Sequence, residues 1–297
     1  MIQQAKTSKQ KRVELRSKID SGKILQFPGA FNALVGMMIE QSGFDGVYMS
    51  GAVISNSLGL PDIGLTTLTE VLQFSKPICA RVTIPSIVDV DTGFGETMNV
   101  ARTIREIEEI GASGCHLEDQ VNPKRCGHLD NKAIVSVEEM VKKIKAAADA
   151  KIDPNFILIA RTDAATVEGI ESAIDRAKAY TDAGADMIFP EAMRDEKDFE
   201  RFRKEIDLPL LANMTEFGKS KLLSKSTLQE LGFNIVIYPV SMQRLAMKSV
   251  ELGLKTIMDE GTQGNLLPEM QDRKRLYEVL GYEKYNAFDN DIFNFEL

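Results

Sequence analysis

A cysteine flanked by basic residues and a glycine, Lys124-Arg125-Cys126-Gly127-His128, follows shortly after the acidic pair Glu118-Asp119. Positive neighbours favour a thiolate, so such a thiol ionises easily and can act as a nucleophile or a general acid. Gly127 permits a tight turn, and basic neighbours suit a substrate carboxylate. A second constellation is Asp89 and Asp91. At i and i+2 on a strand, both carboxylates point to one side. Side-by-side carboxylates repel unless a proton or a cation neutralises them. With Glu118 they make an all-oxygen site of the kind that holds Mg²⁺ or Mn²⁺ partly through water. The bland alternatives are a loop-capping aspartate and a solvated basic loop with an incidental cysteine. Other chemistries find no support. There are only 2 histidines, no Ser-His-Asp set stands out, and no His/Cys spacing fits zinc. Phe189-Pro190-Glu191 offers no lysine for a Schiff base. Cys79 and Cys115 read as packing residues.

The elements that must position these groups follow from a repeated local pattern. Gly43 to Ser50, Gly111 to Glu118, Gly184 to Glu191 and Gly232 to Pro239 each run from a glycine through apolar residues to a polar residue or proline. Helical periodicity precedes them, as in Val100, Ile104, Ile107 and Ile110, or in Ile170, Ala173, Ile174, Ala177 and Tyr180. A glycine just past a helix caps it, and a short apolar run beyond is a buried parallel strand. Strands are expected at Ile24–Phe27, Gly46–Ser50, Ser86–Val90, Gly114–Glu118, Phe156–Ala160, Met187–Phe189, Leu210–Asn213 and Ile235–Tyr238. Eight βα units in 297 residues point to a (β/α)8 TIM-type barrel forming a single domain over 1–297. An open doubly wound sheet would show a glycine-rich phosphate turn, and Gly93-Phe94-Gly95 lacks its third glycine. A long helix is expected over Gln243 to Glu260. The tail, 265–297, exceeds what a barrel needs and is expected to pack on a neighbouring subunit.

In such a barrel the active site lies at the C-terminal strand ends. The polar residues there are Tyr48 and Ser50, Asp89 and Asp91, His116, Glu118 and Asp119, and Arg161 and Asp163. Glu191, Asn213, Thr215, Tyr238, Ser241 and Arg244 complete the ring. Together they call for a charged ligand.

The chain is 43% hydrophobic and 27% charged, enough for a sizeable core. Its net charge of −8 argues against nucleic-acid binding. No apolar run approaches the ~20 residues that span a bilayer, so no membrane partner is expected. Three cysteines make no disulfide framework, which suits the cytoplasm. The basic stretch Ala5 to Lys18 lacks the apolar segment of a secretory signal. It reads as a solvated helix tucking Val13, Leu15 and Ile19 against the body.

Longer motifs carry a resemblance. Ser57 to Asp62 (SLGLPD), Val88 to Gly95 (VDVDTGFG), His116 to Gln120 (HLEDQ) and Lys124 to His128 (KRCGH) resemble the isocitrate lyase and phosphoenolpyruvate mutase superfamily. Ala160 to Asp163, Phe189 to Ala192 and Asn213 to Gly218 extend the match, and the cysteine loop is specific to the lyase branch. The resemblance implies a barrel whose last helix swaps between subunits, a homotetramer and Mg²⁺. The substrate it implies is a small tricarboxylate, 2-methylisocitrate, cleaved to pyruvate and succinate in propionate breakdown. It assigns Asp89 and Asp91 to the metal, with Glu118 beside them. Ser50, Gly51 and Ala52 would bind the pyruvyl end, with Ala52 standing where many relatives have a second glycine. Cys126, Gly127, Arg161, Glu191, Asn213, Met214, Thr215, Arg244 and Arg273 would supply the other substrate contacts. Tyr48 and Asp62 would lie near the reacting hydroxyl, with Lys124 and His128 among the catalytic group and Cys126 as the acid. The loop around Lys124–His128 is expected to close over substrate. The rivals are isocitrate as substrate, an oxaloacetate- or phosphonopyruvate-acting relative, and a barrel that only binds a carboxylate ligand.

Overall fold

A computed structural model describes residues 6–127 and 131–294. Its strands are β1 (Leu25–Pro28), β2 (Val47–Met49), β3 (Ser86–Asp89), β4 (Gly114–Glu118), β5 (Ile157–Thr162), β6 (Met187–Pro190), β7 (Leu211–Asn213) and β8 (Ile235–Tyr238). All pairings are parallel, in the orders β2-β3-β4-β5-β6 and β7-β8-β1. Parallel bridges Gly29 to Tyr48 and Ile188 to Leu210 join the two runs. The ring therefore closes as the expected (β/α)8 barrel, with strand bounds within two residues of those read from the sequence.

Alternation along each strand divides the core in two. On β4, Cys115 and Leu117 pack outward with the helices, which leaves His116 and Glu118 facing in. On β5, Leu158 and Ala160 pack outward, while Ile157 and Ile159 pack inward with Phe27, Tyr48, Met187 and Phe189. The helices α5 (Thr97–Glu109) and α7 (Ile170–Asp182) bury the predicted stripes, Val100, Ile104 and Ile107 on one and Ala173, Ile174, Ala177 and Tyr180 on the other. Gly111 and Gly184 follow them at φ +92° and +107°. A side chain there would be strained, so the glycines set where each helix stops and the next strand starts.

The N-terminal helix α1 (Ser8–Asp20) opens on a capping box formed by Thr7 and Gln10. It closes the lower end of the barrel by inserting Leu15 and Ile19 among the inward-facing strand residues. Val13, expected to tuck in with them, is exposed. Lys11 and Arg12, expected in solvent, are buried. Lys11 Nζ donates to Cys79 O at 2.8 Å and Arg12 Nε to Ala112 O at 2.9 Å, while Arg12 Nη1 lies 3.4 Å from Glu108 and 3.3 Å from Asp153. Their long stems reach carbonyls that no strand pairing satisfies, and this anchors the helix.

After β8 comes α10 (Ser241–Glu260), with Gln243 as its one buried residue. Leu245, Met247, Val250, Leu254, Ile257 and Met258 stand exposed along it. The tail forms α11 (Arg273–Leu280) and α12 (Tyr282–Phe293). Part of this tail rests on the chain's own α2 (Ala33–Gln41), where Gln41 Nε2 donates to Val279 O at 3.2 Å and Arg275 Nη2 to Gln41 Oε1 at 3.0 Å. Among the described residues no helix is long and apolar enough to cross a membrane.

Leu15 is fully buried in the inward-facing cluster. Leu15→Ala should cost about 2–5 kcal/mol, read as a lower urea midpoint with an unchanged slope.

Candidate active site

The strand ends open into a cavity of about 890 Å³. Tyr48, Ser50, Ala52, Asp62, Asp89, Lys124, Cys126, Gly127, Arg161, Glu191, Asn213, Thr215 and Arg244 all line it. Asp91 borders a smaller cavity of about 330 Å³ with Thr66 and Asn122. Glu118 lies beneath, within 3.2 Å of Arg161 Nη1. Met214 instead turns into the outer core, and its sulfur accepts from Leu223 N at 3.2 Å. Arg273 sits exposed at the start of α11 and outside the cavity lining. His128 lies outside the described residues.

One geometric expectation fails. β3 ends at Asp89, and Asp91 adopts φ +46°, so strand alternation does not set its direction. A turn brings it back instead, with Asp91 N donating to Asp89 Oδ1 at 3.1 Å. The two carboxylates still converge, because Gly51 separates them. A Cβ at Gly51 would lie 2.9 Å from Asp91 Oδ1 and 3.0 Å from Asp89 Oδ2. Gly51 N donates to Asp89 Oδ2 at 2.9 Å at the start of α3 (Gly51–Ser57).

Lys124 also departs from expectation. Its ammonium turns to Asp62 at 2.5 Å and Asp91 at 2.7 Å, so carboxylates occupy it rather than the thiol. Burial pulls its pKa down, but Asp91, Glu118, Asp62 and Asp89 outweigh this and hold it well above the usual lysine range. Burial, with Asp89 and Asp62 adding to it against Lys124, pushes Asp91 up to about 6. Burial drives Glu118 well above the usual carboxylate range, although Arg161 opposes it.

His116 is the next ring member. Its Nε2 is 2.6 Å from Tyr48 Oη and 3.5 Å from Asp89 Oδ1. Burial lowers its pKa to about 4, against the pull of Asp89. Burial, then Asp89, lifts Tyr48 well above the usual phenol range. The pair is thus a neutral phenol and a neutral imidazole sharing one hydrogen bond.

A third layer centres on Arg161, which stacks over Phe189 at 5.2 Å. Its Nε and Nη2 donate to Asp163 at 2.9 and 3.2 Å, and Glu191 Oε2 lies 3.9 Å from Nε. Asn213 Nδ2 donates to Glu191 at 3.3 Å. Arg244 lies over Phe217 and 3.7 Å from Glu216.

The loop between β4 and α6 (Val137–Ala150) carries Cys126. Its base is paired by Val121 N to Ala133 O and Val135 N to Asp119 O, both 2.8 Å. Gln120 bonds both backbone groups of Arg125, at 2.8 and 2.9 Å. A Cβ at Gly127 would collide with Arg161 Nη2 and lie 2.6 Å from Glu191 Cγ. The glycine therefore allows the loop to sit directly on the Arg161 layer, beyond merely turning tightly. Sequence reasoning missed Lys132, Phe189 and Gln120 as parts of this site. Gln120 stood within a quoted motif, whereas Lys132 in Asn-Lys-Ala-Ile carries no signal of its own.

Among the described residues no three acidic, histidine or cysteine side chains form a ready-made metal cage. Mg²⁺ does not need one, since it keeps waters and binds through one or two carboxylates plus substrate oxygens. Asp89, Asp91 and Glu118 fit that pattern. Asp91 Oδ1 and both Glu118 oxygens are buried without a well-aligned hydrogen bond, and Gly51 leaves the space between the aspartates open.

With its pKa lowered, the His116 ring should stay neutral from pH 5.5 to 8. Imidazole NMR shifts of one of the 2 histidines should be flat over that range, and a midpoint near 6.5 for both would contradict the burial argument.

The family model described as phosphoenolpyruvate phosphomutase matches residues 15–258. A probable 2-methylisocitrate lyase 2 of Corynebacterium glutamicum is 54% identical over 96% of this chain and 93% of that protein. A 2-methylisocitrate lyase of Shewanella oneidensis is 46% identical over 95% and 97%. Among solved structures, 2,3-dimethylmalate lyase superposes with a TM-score of 0.90 at 30% identity, covering 97% of this chain and 96% of that one. Phosphonopyruvate hydrolase in complex with oxalate and Mg²⁺ gives 0.86 at 31%, covering 96% and 99%. The match spans the closed barrel and nearly the whole sequence, and the chain belongs to the phosphoenolpyruvate mutase and isocitrate lyase superfamily, within its 2-methylisocitrate lyase family.

Proposed function

We propose that this enzyme, a carbon–carbon lyase, cleaves 2-methylisocitrate to pyruvate and succinate. The observation that carries the reading is the seating of Cys126 and Gly127 in the same cavity as Asp89, Arg161, Glu191 and Asn213. That cavity offers separate groups for each carboxylate and an acid above the bond to be broken. Asp89 and Asp91, with Glu118 behind them, would hold Mg²⁺, or Mn²⁺ in its place. Such a cation would supply Lewis-acid chemistry, lowering the pKa of the substrate hydroxyl.

The chain's own groups supply the rest. Ser50, Gly51 and Ala52 line the side where the pyruvyl half lies, and Arg161, Asn213, Thr215 and Arg244 receive the carboxylates of the succinate half. The hydroxyl proton leaves toward Asp62 or the Tyr48–His116 pair. The carbon–carbon electrons pass to the succinate half, which becomes an aci-carboxylate, and Cys126 Sγ–H delivers a proton to that carbon. Arg161 offsets the developing charge. Loss of the methyl group is worth only ~1–3 kcal/mol in a pocket, so isocitrate is the second substrate to assay. The reading extends to a cytoplasmic homotetramer in which the exposed apolar residues of α10 and the tail meet other copies. None of the three cysteines forms a disulfide, which suits a reducing compartment.

Pyruvate release from 2-methylisocitrate should be abolished by a chelator and restored by Mg²⁺. Cys126→Ser should retain substrate binding within a few-fold and lose about 10²–10⁴ in turnover, as expected for a lost general acid. Turnover near wild type in that variant removes the thiol from the mechanism.

The raised pKa of Asp91, about 6, sets a pH dependence for the cation. A proton and Mg²⁺ compete for the same carboxylate, so affinity is full above the raised pKa and declines below it. The apparent Kd for Mg²⁺ should rise about tenfold per pH unit below 6, checked by calorimetric titration from pH 5 to 8.

A further inference from the structure

Lys132 belongs to none of the motifs and does not line the cavity, yet its ammonium is almost wholly buried beside the site. It donates to two groups that belong to different parts of the molecule. One is Asp163 Oδ1 at 2.7 Å, fixed just past the end of β5. The other is the carbonyl of Gly127 at 2.5 Å, the residue next to Cys126 in the loop after β4. We propose that Lys132 is the positioning residue that holds the Cys126–Gly127 segment on the barrel by joining the Gly127 carbonyl to Asp163.

Three observations make this more than a surface tether. Asp163 is itself held from two sides, because Arg161 Nε donates to its Oδ2 at 2.9 Å and its own backbone N–H donates to Asp119 Oδ1 at 2.9 Å. Asp119 in turn accepts from the Tyr180 hydroxyl at 2.8 Å. Gly127 is pressed against Arg161 and Glu191 with no room for a side chain, so its carbonyl can reach the ammonium only while the loop is seated. Finally, a buried ammonium without partners is strongly disfavoured. If Gly127 lifted away, Lys132 would lose one of its two acceptors inside the protein. The cost of opening is therefore carried by Lys132, and the charge-assisted bond, stronger than a neutral one, biases the loop toward the seated position. Cys126, one peptide away, is placed over the cavity as a consequence.

The activity part of this inference rests on the proposed cleavage, but the loop part can be read without any substrate. Cys79 and Cys115 are buried and Cys126 is partly exposed, so alkylation by iodoacetamide reports on Cys126. Mass spectrometry of the modified peptide confirms the site. In Lys132→Met, alkylation of Cys126 should be at least tenfold faster than in the wild type. Turnover of 2-methylisocitrate should fall about a hundredfold with KM changed by less than fivefold, whereas a purely structural role would lower the folded fraction and leave both rates per folded enzyme unchanged. Lys132→Gln, which keeps a neutral donor in the same space, should show at least a fivefold faster alkylation and serves if the methionine variant does not fold. An alkylation rate within twofold of wild type in either folded variant overturns the proposal, whatever the substrate proves to be. Faster alkylation with no turnover of 2-methylisocitrate in the wild type would leave the loop assignment standing and overturn the substrate.

Discussion

The constraint on which this structure depends is an excess of carboxylates out of water at one end of a barrel. Asp89, Asp91, Glu118, Asp163 and Glu191 are all buried there, with Asp62 at the edge. Lys124, Arg161 and Lys132 are the cations that meet them. A buried carboxylate is tolerated only with a proton, a cation or several donors. Asp163 has all the donors it needs, and its carboxyl is held below the usual range although burial opposes this. Asp91 and Glu118 do not, and their raised pKa values record the shortfall. A proton or a divalent cation would relieve that shortfall.

The cations are not interchangeable. Arg161 presents a planar fork, which lets it grip Asp163 with two nitrogens while another faces Glu118. Lys124 and Lys132 are point charges, and each links a loop to a fixed carboxylate. Both arrive from the segment after β4, so one stretch of chain brings the thiol and two of the buried cations that partly balance the mouth. The neutral Tyr48–His116 pair adds a polar contact without adding to the charge. Chemistry and loop seating thus share one electrostatic arrangement.

The floor of the barrel solves a different problem with the same tools. Unpaired carbonyls before β3 and β4 are met by Lys11 and Arg12 of α1, and Leu15 and Ile19 fill the centre. Rigidity at the floor leaves the upper loops as the variable part, the usual division of labour in such barrels.

Local patterns in the sequence were sufficient for the barrel. Glycines after four of the helical stripes and eight short apolar runs fix element order, because helix caps and buried strands have strong local requirements. Most residues of the mouth followed, since position at a strand end is a one-dimensional property. What the sequence did not determine lies wherever the chain leaves a regular element. The direction of Asp91 was misread because it sits at a positive φ beyond the strand, and the partners of Lys124 were misread because Asp62 approaches from a separate loop. The burial of Lys11 and Arg12, the inward core under Val13's helix and the role of Lys132 depend on which carbonyls and carboxylates converge in space. Periodicity specifies a residue's face on its own element; only the closed barrel decides which charge comes to stand opposite it.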